Sequence, residues 1–165
     1  MQDWERSTDR TLKGGSVRGL ELPKGPGGRN LCRWCQLEVP KGRVTFCSEF
    51  CVDEWRLRTD PSFLREKTFA RDKGICAVCG VDAAAAWNQL RKSRGTARLR
   101  LLQHWGLKTL NRRSLWDADH IVPVVEGGGA CDLSNIRTLC VLCHRKATSQ
   151  LRERRATACR GTVNP

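Results

Sequence analysis

Leu115-Trp-Asp-Ala-Asp119-His120-Ile-Val-Pro123-Val-Val-Glu-Gly127-Gly-Gly129-Ala-Cys131-Asp-Leu-Ser-Asn135-Ile-Arg-Thr-Leu139-Cys140-Val-Leu-Cys143-His144-Arg-Lys-Ala-Thr148 is the stretch on which the fold turns. Leu115 to Val122 is rich in aromatic and β-branched residues and is stopped by Pro123, which reads as a strand; Ile136 to Leu139 reads as a second, short one. The glycines at 127–129 supply a flexible connection between them. From about Val141 the chain can turn helical, with His144 in the first turn and an end near Arg155. The expected unit is strand, loop, strand, helix. In a strand, side chains alternate between faces, so Asp119 and His120 leave the first strand in opposite directions.

Cysteine spacing organises the remainder. The 165-residue chain has ten cysteines, only 39% hydrophobic residues and no tyrosine, so its core is small and calls for another source of stability. The opening Met-Gln-Asp-Trp-Glu-Arg is not that of a signal peptide, and no apolar run reaches membrane-spanning length. The chain is therefore expected to be intracellular, in cytoplasm or nucleoid for a bacterial source and in the nucleus for a eukaryotic one, with no membrane partner. In that setting thiols stay reduced, and paired cysteines read as metal ligands more readily than as disulfides. Cys32, Cys35, Cys47 and Cys51 are spaced to hold one tetrahedral zinc. Cys76, Cys79, Cys140 and Cys143 are spaced to hold a second, across a long loop whose closure cost grows only logarithmically with length. Cys131 and Cys159 are left over as free thiols, with Cys131 near enough to the central loop to be an alternative ligand.

Charge points to the partner. The formal net charge is +13, and no acid occurs from Ala83 to Trp116 while Arg91, Lys92, Arg94, Arg98 and Arg100 all do. Together with Arg145 and Lys146, this one-signed clustering suits a nucleic-acid backbone better than it suits mere solubility.

The remaining segments read as supports. Residues 1–30 form a basic, glycine-rich arm expected to be disordered. Residues 31–58 make a four-cysteine module in which Ser48 caps a helix through Val52, Trp55 and Leu57. Asp60-Pro61 starts another helix running to about Lys73, with Phe63, Leu64 and Phe69 against the core. A helical insertion over 82–113 carries two helices broken near Ser93-Arg-Gly95; Ala97, Leu101 and Trp105 form its inward stripe, the arginines between face out, and His104 lies at the surface or packed. Residues 59–155 are expected to form the second domain and 156–165 a flexible tail. The whole is a small α+β fold stabilised by zinc.

Asp119-His120-Ile-Val-Pro123, Gly127-Gly128, Asn135, Leu139-Cys140-x-x-Cys143-His144 and Thr148 resemble the signature of the HNH endonucleases, the ββα-metal group. The upstream cysteine clusters resemble those of the nuclease domains that end fork-remodelling translocases with RAN-binding-type zinc fingers. The resemblance covers residues 31 to 150 and implies a ββα-metal core. It implies that His120 is the general base, that Asp119 and His144 ligate a catalytic divalent cation, Mg²⁺ or Mn²⁺ before others, and that Asn135 holds the loop and orients the base. An imidazole can accept a proton near neutral pH, and oxygen-plus-nitrogen ligation suits such cations. The family often has a basic residue where this chain has Ala147, with Arg145 and Lys146 adjacent. The implied activity is hydrolysis of DNA, branched or single-strand-containing DNA included, leaving 5′-phosphate and 3′-hydroxyl ends; RNA remains open. No nucleotide-binding loop is present, so a helicase or translocase would be a partner or another part of a longer chain. The rival reading is a catalytically inactive zinc-containing nucleic-acid-binding module.

Overall fold

Seven regular elements follow one another in the computed structural model, which describes residues 19, 22–129 and 132–161. They are α1 (Glu49–Thr59), α2 (Pro61–Asp72), α3 (Ala83–Lys92), α4 (Gly95–His104), β1 (Trp116–His120), β2 (Ile136–Cys140) and α5 (Val141–Gly161), with short 3-10 turns at Val124–Glu126 and Leu133–Asn135. Most of the expected N-terminal arm, Cys131, the Cys159 side chain and the last four residues lie outside the described part. No helix among the described residues is long and apolar enough to cross a membrane. The chain divides into two units, one of residues 1–67 with 120–136 and one of residues 68–119 with 137–165.

In the first unit, local capping sets the helices. Ser48 is the N-cap of α1, its hydroxyl accepting the Cys51 N–H at 3.2 Å. Asp60 starts α2 in the same way, its Oδ1 accepting the N–H groups of Ser62 and Phe63 at 3.0 and 3.1 Å. The buried centre is small: Cys32, Val39 and Cys51, flanked by Trp34, Cys35, Phe46 and Cys47. Guanidinium groups lie over two of the tryptophan rings of this unit. Arg33 lies 4.1 Å from the Trp55 ring centroid and Arg58 lies 4.2 Å from that of Trp34, contacts of about 0.5–2 kcal/mol each.

The second unit is built on the sheet. Hydrogen bonds from Ile121 N–H to the Asn135 carbonyl (2.8 Å) and from Val141 N–H to the Leu115 carbonyl (3.0 Å) flank the two strands and make them antiparallel, with residue 118 opposite 138. Leu115, Trp116, Leu139, Cys140 and Val141 form one core with Cys76, Ala83, Leu90, Leu102 and Trp105. Asp82 caps α3 through the Ala85 N–H at 2.8 Å. The inward face of α4 differs from the expected stripe: Ala97 is exposed and Leu101 only half-buried, while Leu102 and Trp105 are buried. The helix starts at Gly95, and Arg98 occupies the inner position one turn before Leu102. Its Nε bonds to the Ser93 carbonyl at 2.8 Å and its Nη2 to that of Arg91 at 3.1 Å, joining α4 to the end of α3. Phe69, expected in the core, is 40% exposed and stacks on Trp116 at 5.6 Å. His104 is exposed and meets Trp105 edge-on. α5 extends six residues beyond the expected end, since neither glycine nor proline interrupts it before Gly161.

Asp72, at the end of α2, holds β2 in place. Its Oδ2 accepts both the backbone N–H and the hydroxyl of Thr138, at 3.2 and 2.9 Å, and Thr138 is fully buried. Asp72→Ala is expected to destabilise the fold by about 1–3 kcal/mol, the cost of a buried donor left unpaired, read as a lower denaturation midpoint. The bond from Arg71 does most to hold the Asp72 carboxyl below its usual range; burial opposes it, and the Thr138 donors assist. An unfolded aspartate titrates near ~3.9. The native value is lower, so this contribution is complete above about pH 4 and is lost as pH falls through the native value.

Candidate functional site

Each unit holds one group of four cysteines whose sulfurs all lie within 4.8 Å of one another: Cys32, Cys35, Cys47 and Cys51 in the first, Cys76, Cys79, Cys140 and Cys143 in the second. None of the eight is in a disulfide. Sulfur separations of 3.5 Å (Cys35 to Cys47), 3.3 Å (Cys47 to Cys51) and 3.8 Å (Cys79 to Cys140) suit four ligands about 2.3 Å from a common ion and are far beyond a bond of about 2.05 Å. Both knuckles are made alike. Cys32 N–H bonds to the Leu37 carbonyl and Gln36 N–H returns to that of Cys32; Cys76 N–H bonds to the Val81 carbonyl and Gly80 N–H returns to that of Cys76. Gln36 and Gly80 take the left-handed conformation that such turns need.

The thiols carry the imprint of this crowding. Burial works to raise the Cys32 pKa, but backbone N–H groups at Cys35, Cys47 and Trp34 outweigh it and bring it to about 7. In the same way burial is outweighed at Cys76, where N–H groups at Cys140, Cys79 and Val78 bring the thiol to about 6. Burial, then the neighbouring thiols, push Cys51 up to about 12 and raise Cys143. Four close sulfurs compete for negative charge, and a divalent cation is the group that would let all four carry it.

A different set of groups meets at the start of α5. Asp117 and Asp119 share one face of β1, two residues apart, and His144 projects from the first turn of the helix. His144 Nδ1 lies 3.2 Å from Asp117 Oδ2, and its Nε2 lies 3.7 Å from Asp119 Oδ1. A carboxylate only accepts hydrogen bonds, so the Asp117 contact is made by an Nδ1–H donor, while Nε2 is turned toward Asp119 Oδ1. Asp117 is itself held by Arg112, whose Nη2 reaches both carboxylate oxygens at 2.6 Å. Arg137 brings Nε and Nη2 to Asp119 Oδ2 at 3.2 and 3.1 Å. Only one oxygen of Asp119 is so engaged; Oδ1 faces the imidazole.

His120 follows Asp119 at the end of β1 and is half-buried. In the same unit Asn135 ties the chain that leaves it. Its Oδ1 accepts the Val122 N–H at 2.8 Å, and its Nδ2 donates to the carbonyls of Val122 and Gly128, both at 3.1 Å. Gly128 N–H also returns to the Pro123 carbonyl at 3.0 Å. A Cβ at Gly128 would collide with the Val122 carbonyl. Within the glycine run, expected to be a flexible connection, Gly128 therefore serves a close backbone approach.

Arg91, Lys92, Arg94 and Arg100 are exposed on the helical insertion, and Arg145 and Lys146 are exposed on α5. Two of the seven cations singled out from the sequence are engaged by backbone: Arg98 as described, and Arg145, whose Nη1 lies 3.3 Å from the Trp105 carbonyl. Asp117 escaped the sequence reading. Strand alternation carries the signal, since it puts Asp117 on the face of Asp119, but its link to a histidine 27 residues away appears only with the strand register in hand.

Three comparisons show what the chain is similar to. The sequence model described as "HNH endonuclease" matches residues 107–150, which hold β1, β2, His120, Asn135 and the first turns of α5. The chain is 34% identical over 169 residues to the "DNA annealing helicase and endonuclease ZRANB3" of Mus musculus and 33% identical over 168 residues to that of Homo sapiens. The chain belongs to the HNH endonuclease family. The alignments take in 90% and 88% of this chain but 16% of either relative, so it corresponds to a small part of those proteins. The crystal structure of the human ZRANB3 HNH domain is 34% identical and superposes with a TM-score of 0.49, covering 60% of this chain and 95% of that one. In this chain the residues matched by the family model lie in an α+β fold with a two-stranded sheet and two four-cysteine groups.

Proposed function

We propose that this chain is a metal-dependent endonuclease that hydrolyses DNA phosphodiester bonds by nicking or by structure-selective cutting. The observation that carries the reading is the 3.7 Å approach of His144 Nε2 to Asp119 Oδ1, with the far side of each group fixed by Asp117 and Arg137. Two ligands about 2.1 Å from a common ion lie no more than about 4.2 Å apart, so one carboxylate oxygen and one imidazole nitrogen at this spacing fit Mg²⁺ or Mn²⁺. Bound there, a divalent cation would neutralise charge on the scissile phosphate and on the departing 3′-oxygen.

This chain's residues do the rest. His120 takes the proton of the attacking water at a ring nitrogen. Asn135 fixes the segment leaving His120 and thereby limits the motion of that imidazole. The eight cysteines hold two zinc ions whose role is structural, because four sulfurs leave no open position. Arg91, Lys92, Arg94, Arg100 and Lys146 hold the DNA backbone without reading bases. DNA is the substrate of choice because the relatives' name joins annealing and cutting of DNA; a helicase activity would come from a partner or from a longer chain.

The test is nicking of supercoiled plasmid and of branched duplexes by the zinc-loaded protein, with Mg²⁺ or Mn²⁺ added or withheld. Cutting only with added metal supports the reading. A folded, zinc-loaded protein that binds DNA but cuts neither substrate with any metal leaves a binding module in its place. Asp117→Asn gives a finer outcome. An amide can present either a donor or an acceptor to Nδ1 and no longer selects one tautomer, so metal affinity and cutting rate are expected to fall about 10- to 100-fold, as when a partner behind a metal ligand is lost. Cutting at the wild-type rate and metal concentration would remove Asp117 from the site.

A further inference from the structure

The family match ends at residue 150, yet α5 continues to Gly161. Its last turns carry Arg152, Glu153, Arg154 and Arg155 on an exposed surface. These charges are not arranged evenly about the helix. At 3.6 residues per turn, Arg155 stands about 20° and Arg152 about 80° round the axis from His144, while Glu153 stands about 180° away. The acid on these turns therefore faces opposite the metal-site histidine, where it accepts the Ser149 hydroxyl at 2.9 Å. Uncharged Thr148, about 40° round the axis, and Leu151, about 20° round to the other side, lie along α5 between His144 and the two arginines, and the Thr148 hydroxyl is bonded to the His144 carbonyl at 2.9 Å. Arg145 and Arg154 are engaged elsewhere. Arg152 and Arg155 lie one turn apart, exposed, with no carboxylate against either among the described residues. Two like charges at that spacing repel, which a bound polyanion would relieve.

We infer that Arg152 and Arg155 form a second phosphate-binding site, which grips the DNA strand at a fixed distance from the bond being cut. The inference rests on the nuclease reading, since His144 marks the scissile phosphate. A rise of 1.5 Å per residue puts Arg152 about 12 Å and Arg155 about 17 Å along α5 from His144. With phosphates every ~3.4 Å along the axis of each strand, that offset corresponds to about three to five nucleotides. The helix axis thereby measures the DNA from the metal site, and where the cut falls is set by backbone position and not by base identity.

The test uses the full zinc-loaded chain and the double variant Arg152→Ala/Arg155→Ala, chosen because alanine preserves the helix. Affinity for an uncleaved duplex is measured across a salt series, and again on duplexes in which one phosphate at a time is replaced by a neutral methylphosphonate. The double variant is expected to lower the slope of log K against log salt by about 1.8, two contacts at about 0.9 each. Neutralising a phosphate three to five nucleotides from the mapped cut should weaken wild-type binding and leave the double variant indifferent. An unchanged slope, or equal sensitivity of both proteins to that phosphate, overturns the site while wild-type cutting still upholds the nuclease reading. A wild type that does not cut removes that reading, and the measured offset with it. A loss of affinity confined to duplex RNA also overturns the assignment to DNA.

Discussion

Replacing His120 by alanine is expected to slow cutting about 10²- to 10⁴-fold, the usual loss when a general base is removed, while DNA affinity and zinc content stay at wild-type values. His120 lies outside both cysteine groups and makes no ion pair among the described residues. The segment after it is held by Asn135 through Val122 and Gly128, bonds that do not involve the imidazole. The variant should therefore keep its fold and lose a proton acceptor. Single-turnover rates on plasmid, with affinity read separately, separate the two quantities. A variant that cuts as fast as wild type would move the activity to another group or to a contaminant.

Removing zinc from the second cysteine group is expected to unfold the unit that contains it. Cys76 and Cys140 are buried members of the same core as Leu115 and Leu139, and they stand 64 positions apart in the chain. The same segments are also joined by the Ala77 N–H to Thr138 carbonyl bond at 2.8 Å and by the Asp72 bonds to Thr138. Apparent zinc binding energies of about 10–16 kcal/mol are as large as the net stability of a whole ordinary domain, about 5–15 kcal/mol. Cys140→Ser, or a strong chelator, should abolish cooperative thermal unfolding and expose apolar surface, and elemental analysis of the untreated protein should give two zinc ions per chain. A purified protein without zinc, or with its cysteines in disulfides, would remove both sites from the account.

Much of this was legible wherever short-range chemistry decides. Ser48 and Asp60 stand where a cap must stand, and each accepts the backbone N–H groups expected of it. The cysteine pairs announce their groups because two- and three-residue spacings suit ligands of a common ion, whatever the intervening chain does. Features that depend on packing were less open to reading. Ala97 is exposed while Arg98 turns inward, because carbonyls at the end of α3 offer the guanidinium acceptors that no local pattern announces. Gly128 reads as slack in the chain, but its hydrogen atom stands where Asn135 draws two strands of loop together. The pairing of Asp117 with Arg112 and His144 needs the strand register and the first turn of α5 at once.

The division of labour between His144 and His120 is the central claim, and the dependence of cutting rate on metal concentration tests it most directly. The zinc-loaded wild type, His144→Ala and His120→Ala would be compared in single turnovers across a wide range of Mg²⁺ or Mn²⁺. His144→Ala removes a ligand, so its curve should shift to higher metal concentration and partly recover there; His120→Ala removes the base, so its curve should keep the wild-type midpoint at a plateau about 10²- to 10⁴-fold lower. Midpoints that shift alike in both variants, or a His120→Ala plateau equal to wild type, would contradict the assignment.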